Sequence, residues 1–336
     1  MFSHQRCFII GEIAGAHDGS FMFAQAHIDA VAQAGCDAVK FQLHFAEAES
    51  TPDEAFRVPI PGYATRQEYW KKTGFPEARW RELARYAEAK GLIFMASAFS
   101  IPAVEMLERL EVPVHKVSSG ETANLPLIER MAATGKPIIL STGMSGWSEI
   151  DTAMARIAAH GVPCALTQCV TQYPTPAERV GLNVMAAYRD RYGGFAGLSD
   201  HSGTIFPAVA GAYIGMDVLE VHVRLGANMP GPDAPASLDP AALALLVQGV
   251  RFAEVMRGNP VEKDALAREF SPLRELFQQA IYVRVAVAQG EPILESGIEF
   301  RKPLKGLPAA RWDDVIGRPA ARDLTAGCFL QEEDIA

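Results

Sequence analysis

The stretch Val114–Met144, VHKVSSGETANLPLIERMAATGKPIILSTGM, decides the fold. An apolar run over Val114–Ser118 leads through the turn SSGE into a helix-length amphipathic segment, Leu125–Ala133. A second apolar run, Pro137–Ser141, then ends on STGM. Strand, helix and strand in about 30 residues make a βαβ unit. The same alternation repeats outward in both directions. Candidate strands are Cys7–Ile13, Ala38–Leu43, Ile93–Ala98, Val114–Ser118, Pro137–Ser141, Cys164–Cys169, Phe195–Ser199 and Val218–Val223. Helical patterns fall between them, among them Phe21–Ala34, Glu77–Lys90, Pro102–Leu110, Glu149–His160 and Pro240–Met256. Eight strands with intervening helices in roughly 255 residues predict an α/β fold of the (β/α)8 TIM-barrel type.

The style changes after residue 258. Gly258–Ser271 is polar and carries NP and SP breakers, which predicts a linker over 259–275. Short alternating runs and turns follow (IYVRVAV, AQGEPI, IEFRKP), so 276–336 reads as a small β-rich domain behind a barrel over 1–258. With 49% apolar and 21% charged residues the 336-residue chain has the composition of a soluble globular protein. A net charge of −9 argues against a nucleic-acid partner. No apolar run reaches the roughly 20 residues that cross a bilayer, and no cleavage pattern follows the N-terminus, so a cytoplasmic enzyme is expected. The five cysteines lack ligand-like spacing and read as buried thiols.

A barrel of this type carries its active site at the carboxyl ends of the strands, and the residues there are polar. Strand 1 brings Glu12, then Ala16-His17-Asp18. Alternation in VKFQLH puts Lys40, Gln42 and His44 on one face of strand 2. Ser97 ends strand 3, and strand 4 supplies Lys116, then Ser119 and Glu121. Ser141 ends strand 5, Ser199 and His201 end strand 7, and Glu220, His222 and Arg224 share a face of strand 8. Each lysine alone fits a salt bridge to Glu12 or Glu121 as well as it fits a ligand. Two inward lysines beside hydroxyls and glycine turns look more like a cradle for phosphate and carboxylate. Two histidines on adjacent strands are candidate metal ligands.

The ordered set EIAGAHDGS, VKFQ, KVSSGE, ILSTGM, QCVTQYPTP, GLSDHSG, EVHVRL and NMPGPDAPASL resembles the N-acetylneuraminate (sialic acid) synthase family over essentially the whole chain. The C-terminal module resembles that family's antifreeze-like (SAF) domain. The resemblance implies a metal-dependent condensation of phosphoenolpyruvate with an open-chain sugar, N-acetylmannosamine or a related aldose. On it, His201 and His222 hold Mn2+, with Mg2+ or Co2+ as alternatives. Lys40, Ser97, Lys116, Ser119, Ser141 and Ser199 bind phosphoenolpyruvate. Glu12, Glu121 and Lys116 serve the chemistry, while Tyr63, Gln42, Asp233, Lys302 and Arg301 face the sugar. It also implies a domain-swapped homodimer in which the C-terminal domain caps a neighbour's barrel.

Departures from the family pattern gather where the sugar would lie. Ala16 replaces an Asn, and Gln168-Cys169-Val170 stands for HCT. Arg301-Lys302-Pro303-Leu304 stands for KRPG, Tyr63 for an Asn of some members, and Ala234 for a common His. Two other function classes remain: a Schiff-base aldolase using Lys116 or Lys40, and a sugar-binding barrel without turnover.

Overall fold

The computed structural model describes residues 2–56, 59–60 and 62–336. Eight parallel strands close into a barrel in chain order. They are β1 (Phe8–Ala14), β2 (Ala38–Leu43), β3 (Ile93–Ala98), β4 (His115–Val117), β5 (Ile138–Ser141), β6 (Cys164–Cys169), β7 (Phe195–Asp200) and β8 (Val218–His222). β8 pairs with β1 to complete the circle, Phe8 opposite Val218 and Ile10 opposite Glu220.

Helices cover the outside because each presents an apolar stripe and begins at a residue suited to start it. Ser20 caps Phe21–Gln33, Asn124 caps Leu125–Ala132 and Asp239 caps Pro240–Gly258, each side chain accepting from a first-turn amide. Ile28, Val31, Leu83, Leu107, Ile128, Leu243 and Leu246 are buried with the outward strand residues in one continuous core.

The interior of the barrel is layered, as the two-residue period of a strand requires. At its N-terminal end lie Phe8, Ile10, Ala38, Met95, Val114, Ile139, Ala165 and Val218, a purely apolar cluster. One step further along the same inward faces the residues become Glu12, Lys40, Ser97, Lys116, Ser141, Thr167, Ser199 and Glu220, all buried. The lower layer is the barrel's packed floor and the upper one carries its charge.

Two compact units divide the chain, Met1–Asn259 and Pro260–Ala336. The second contains an antiparallel pair, β9 (Ala280–Val283) and β10 (Ile298–Arg301), with several isolated bridges. Ile281, Val283, Ile293, Val315, Leu324 and Leu330 give it a core of its own. Over 259–275, where a linker is expected, helices occupy Lys263–Glu269 and Ser271–Phe277. Glu262 caps the first by accepting from the Asp264 and Ala265 amides. Pro272, read as a breaker, stands in the first turn of the second, where its missing N–H costs nothing.

Close approach of β7 and β8 leaves no room at Gly197, where an added Cβ would meet the Val218 carbonyl oxygen at 2.0 Å. Gly197→Ala should therefore lower stability by about 2 kcal/mol or more. Gly258→Ala, with nothing within 4 Å of the new carbon, should leave it unchanged or raised. Thermal unfolding of the two variants checks this.

Candidate active site

The upper layer is a ring of paired charges and hydroxyls. Lys40 Nζ lies 2.7 Å from Glu12 Oε2 and donates to Ser97 Oγ at 2.9 Å. Lys116 Nζ donates to Ser141 Oγ at 2.6 Å, and Ser141 shares a 2.7 Å hydrogen bond with Thr167. Glu220 Oε2 sits 3.8 Å from both ammonium nitrogens, and Ser199 Oγ donates to its other oxygen at 3.1 Å. Every one of these side chains is out of water.

Burial and mutual charge set the protonation states. Burial pushes Glu12 up to about 7, with Lys40 pulling against it. Burial would raise Glu220 too, but Lys116 and Lys40 overcome it and hold that carboxyl at about 2. Lys40 stays above the usual lysine range because Glu12 and Glu220 outweigh its burial. Lys116 is held below it because its burial outweighs Glu220 at 3.8 Å.

Above the ring opens a cavity of about 930 Å3, lined by the residues that follow it along the strands and by their loops. Gln42, Glu121, Gly143, Thr171, Tyr173 and Asp233 are on its wall. Gly143 has to be a glycine: a Cβ would come 2.7, 2.8 and 2.9 Å from Thr171 Oγ1, Cys169 Sγ and Ser119 Oγ. Ser119 Oγ accepts the Gly143 amide at 2.9 Å, while Thr171 Oγ1 is buried with no hydrogen-bond partner among the described residues.

His201 and His222 lie beside one another, ring centroids 5.2 Å apart. The His201 Nδ1–H donates to the Val170 carbonyl at 2.8 Å, which leaves the Nε2 lone pair for another partner. Tyr173 stacks on this ring at 4.2 Å, with its hydroxyl 3.1 Å from Nε2. Asp233 Oδ2 is 4.0 Å from His222 Nδ1. Burial holds both imidazoles neutral, at about 4. Among the described residues no group of three or more His, Cys, Asp or Glu converges. Two neutral imidazoles side by side are nitrogen donors of the kind that divalent ions take.

Comparison with known proteins places the chain among relatives. The NeuB family pattern matches residues 27–262, and the SAF domain matches 278–336. The chain belongs to the NeuB family. Human N-acetylneuraminate-9-phosphate synthase is 33% identical over 97% of this chain and 92% of its own length. The N,N'-diacetyllegionaminic acid synthase of Campylobacter jejuni is 28% identical over 98% of this chain and all of its own (100%). The crystal structure of N-acetylneuraminic acid synthetase from Leptospira borgpetersenii, in complex with citrate, has a TM-score of 0.71 at 27% identity. That match covers 81% of this chain and 92% of that one. These matches show the family, its TIM barrel and its SAF domain.

Most residues singled out in the sequence come together. Glu12, Lys40, Ser97, Lys116, Ser141 and Ser199 form the ring, and Ser119 lies beside Gly143 at its rim. Gln42, Glu121 and Asp233 line the cavity, where Glu121 accepts from Asn124 Nδ2 at 2.7 Å. Tyr63 lines a second, adjoining cavity of about 750 Å3 and packs edge-on to Tyr69. Arg301 and Lys302 belong to the second unit, where Arg301 stacks on Tyr282 and pairs with Glu299, and Lys302 lies over Phe277. Sequence reasoning placed Glu220 on the inward face without a role, and passed over Thr167, Thr171 and Tyr173. Alternation along TQC in β6 was the available signal for Thr167, while Thr171 and Tyr173 stood in the motif QCVTQYPTP with no role given them. Among the described residues, no helix is long and apolar enough to cross a membrane.

His17, stacked on Phe75 at 5.0 Å, is held down to about 4 by its burial. A depressed histidine stabilises the fold fully above its unfolded value of 6.5 and loses that contribution as pH falls through about 4. Urea midpoints should therefore drop between pH 6.5 and 4, and His17→Gln should flatten the drop.

Proposed function

We propose that the chain condenses phosphoenolpyruvate with the open-chain form of an aldose, giving a 2-keto-3-deoxy sugar acid and free phosphate by C–O cleavage. The observation that carries this reading is the pair of buried ammoniums, Lys40 and Lys116, set among hydroxyls under a polar cavity. Buried cations with spare donors suit a compact ligand bearing both phosphate and carboxylate. Names among the relatives, synthases of N-acetylneuraminate 9-phosphate, N,N'-diacetyllegionaminic acid and pseudaminic acid, support the product class.

In this reading Lys40, Lys116 and the hydroxyls of Ser97, Ser119, Ser141 and Ser199 hold phosphoenolpyruvate in one orientation. Its enol carbon faces the sugar aldehyde, and positive charge grows at C2 as the new C–C bond forms. Glu12 and Glu121 are the carboxylates offered to that charge and to the water that captures it. Glu12, near 7, is matched to giving and taking a proton at neutral pH. The tetrahedral adduct then expels phosphate into the cationic cradle. His201 and His222 would hold a divalent ion of the Mn2+ class (Mg2+ or Co2+ as alternatives), which would supply Lewis-acid polarisation of the aldehyde oxygen. Gln42 and Asp233, on the cavity wall, are the proposed sugar contacts.

A Schiff-base aldolase has one observation in its favour, the depressed Lys116. Its ammonium is nevertheless bonded to Ser141 and faces Glu220, a partner set for a cation. Borohydride trapping of pyruvate on a lysine would show that route.

The reading is tested by phosphate release from phosphoenolpyruvate and Mn2+ across aldoses of different length and acylation; no release with any of them sinks it. With the best aldose, Lys116→Met should raise the KM for phosphoenolpyruvate by about 30-fold or more, the cost of truncating one member of a buried charge pair. An unchanged value would show Lys116 misassigned. His201→Ala and His222→Ala should each lose bound metal, read by elemental analysis, with the fold intact by circular dichroism.

A further inference from the structure

Four flat groups stack on one another along one wall of the large cavity: Phe99, His44, Trp70 and the Arg66 guanidinium. The His44 ring centroid is 4.4 Å from that of Trp70 and 4.4 Å from that of Phe99, tilted by only 12° and 13°. The guanidinium carbon of Arg66 lies 4.6 Å from the Trp70 centroid, and its Nη1 is 2.9 Å from Glu54. An imidazole clamped between two rings cannot leave its plane, so its nitrogens have fixed targets. Nδ1 is 2.7 Å from Glu49 Oε2, and Nε2 is 3.2 Å from Gln42 Oε1. Glu49 is itself immobilised, its other oxygen accepting from the Phe45 amide at 2.5 Å and from Ser100 Oγ at 3.4 Å. A carboxylate, an imidazole and a carboxamide thus run in series and end on the cavity wall.

A glutamine carboxamide can present either its oxygen or its N–H groups, and its hydrogen-bond partners decide which. We propose that the Glu49–His44 pair is a positioning device that turns the Gln42 oxygen towards the imidazole and its N–H groups towards the cavity. The site thereby selects a sugar with an acceptor oxygen there, a hydroxyl or an acyl carbonyl. This rests on reading the cavity as the sugar site. With Nδ1 given to Glu49, Nε2 can donate to Gln42 only if both ring nitrogens carry a proton, and Glu49 supplies the balancing charge. No other described side chain takes the Gln42 amide nitrogen.

His44→Phe keeps a flat ring in the stack and removes both donors. With the aldose that phosphate release selects, the variant should raise the aldose KM by about tenfold, as expected for losing one ordered hydrogen bond. The KM for phosphoenolpyruvate and kcat should stay within about twofold of wild type. In a Gln42→Ala background the same substitution should add almost nothing. An equal rise for both substrates, or an undiminished effect without Gln42, would overturn the proposal. Long-range 1H–15N spectra of the free, 15N-histidine-labelled protein test it without turnover, the His44 signals being assigned by their loss in His44→Phe. Nε2, set against the Gln42 oxygen, should carry a proton, and an unprotonated Nε2 would overturn the proposal. Should His44→Phe not fold, Glu49→Gln replaces it, with loss of the Nε2 proton and the same selective rise in aldose KM expected. Failure of every aldose would remove the proposed reaction and leave the spectra standing.

Discussion

Two ammoniums and two carboxylates inside one barrel, Lys40, Lys116, Glu12 and Glu220, set the terms for everything above them. Taking any one of these charges out of water alone would cost several kcal/mol. Together they are tolerable because each cation has an anion or hydroxyl within reach, and each strand of the ring contributes a polar group. The balance is uneven by design of the pairing. Lys40 touches Glu12 at 2.7 Å, whereas Glu220 stands back at 3.8 Å from both lysines. A dianionic ligand that enters can therefore compete for the lysines, while Glu12, already pushed up by burial, takes a proton more readily than Glu220.

The charge layer can exist only because the layer beneath it does not share its character. Phe8, Ile10, Met95, Val114 and Ile139 close the barrel below with apolar bulk and keep water from reaching the ring from that side. Both layers come from the same strands two residues apart, which is why so much was legible in the sequence. An apolar residue followed two positions later by Glu, Lys or Ser at a strand end is a pattern of period two. It identified most of the barrel's polar mouth, as the strand–helix alternation identified the barrel. What alternation cannot supply is distance. Glu220 was visible as inward-facing, but only the closed barrel brings it equally near to lysines from β2 and β4.

The segments that resisted reading are those where local pattern and tertiary packing disagree. Asn259-Pro260 does end a helix, but Ser271-Pro272 begins one, and the same residue type serves both ends. After β2 the chain has no clear period, yet it forms helices at Ala46–Glu49 and Arg66–Thr73 that carry Glu49, Arg66, Tyr69 and Trp70 to the cavity. Those helices are held by the aromatic stack and by Gln67, which donates to the Ala46 and Ser50 carbonyls. Contacts of that kind follow from the fold and leave no periodic trace in the sequence.

Departures from the family pattern can now be sorted by where they lie. Gln168 turns outward into the helical shell, with its amide near the Val180 carbonyl and the Tyr188 hydroxyl, so its replacement of a histidine does not reach the ring. Ala16, Tyr63 and Ala234 all line the second cavity, which shares Gly15, Tyr69 and Asp233 with the first. That cavity is largely apolar, walled by Phe23, Tyr63, Met229 and several prolines. Relative to the family pattern, an asparagine at 16, one of some members at 63 and a histidine at 234 are replaced there by two alanines and a tyrosine, and Lys40, Lys116, His201 and His222 are untouched. Residues that would handle phosphoenolpyruvate and metal are thus separated in space from those that vary.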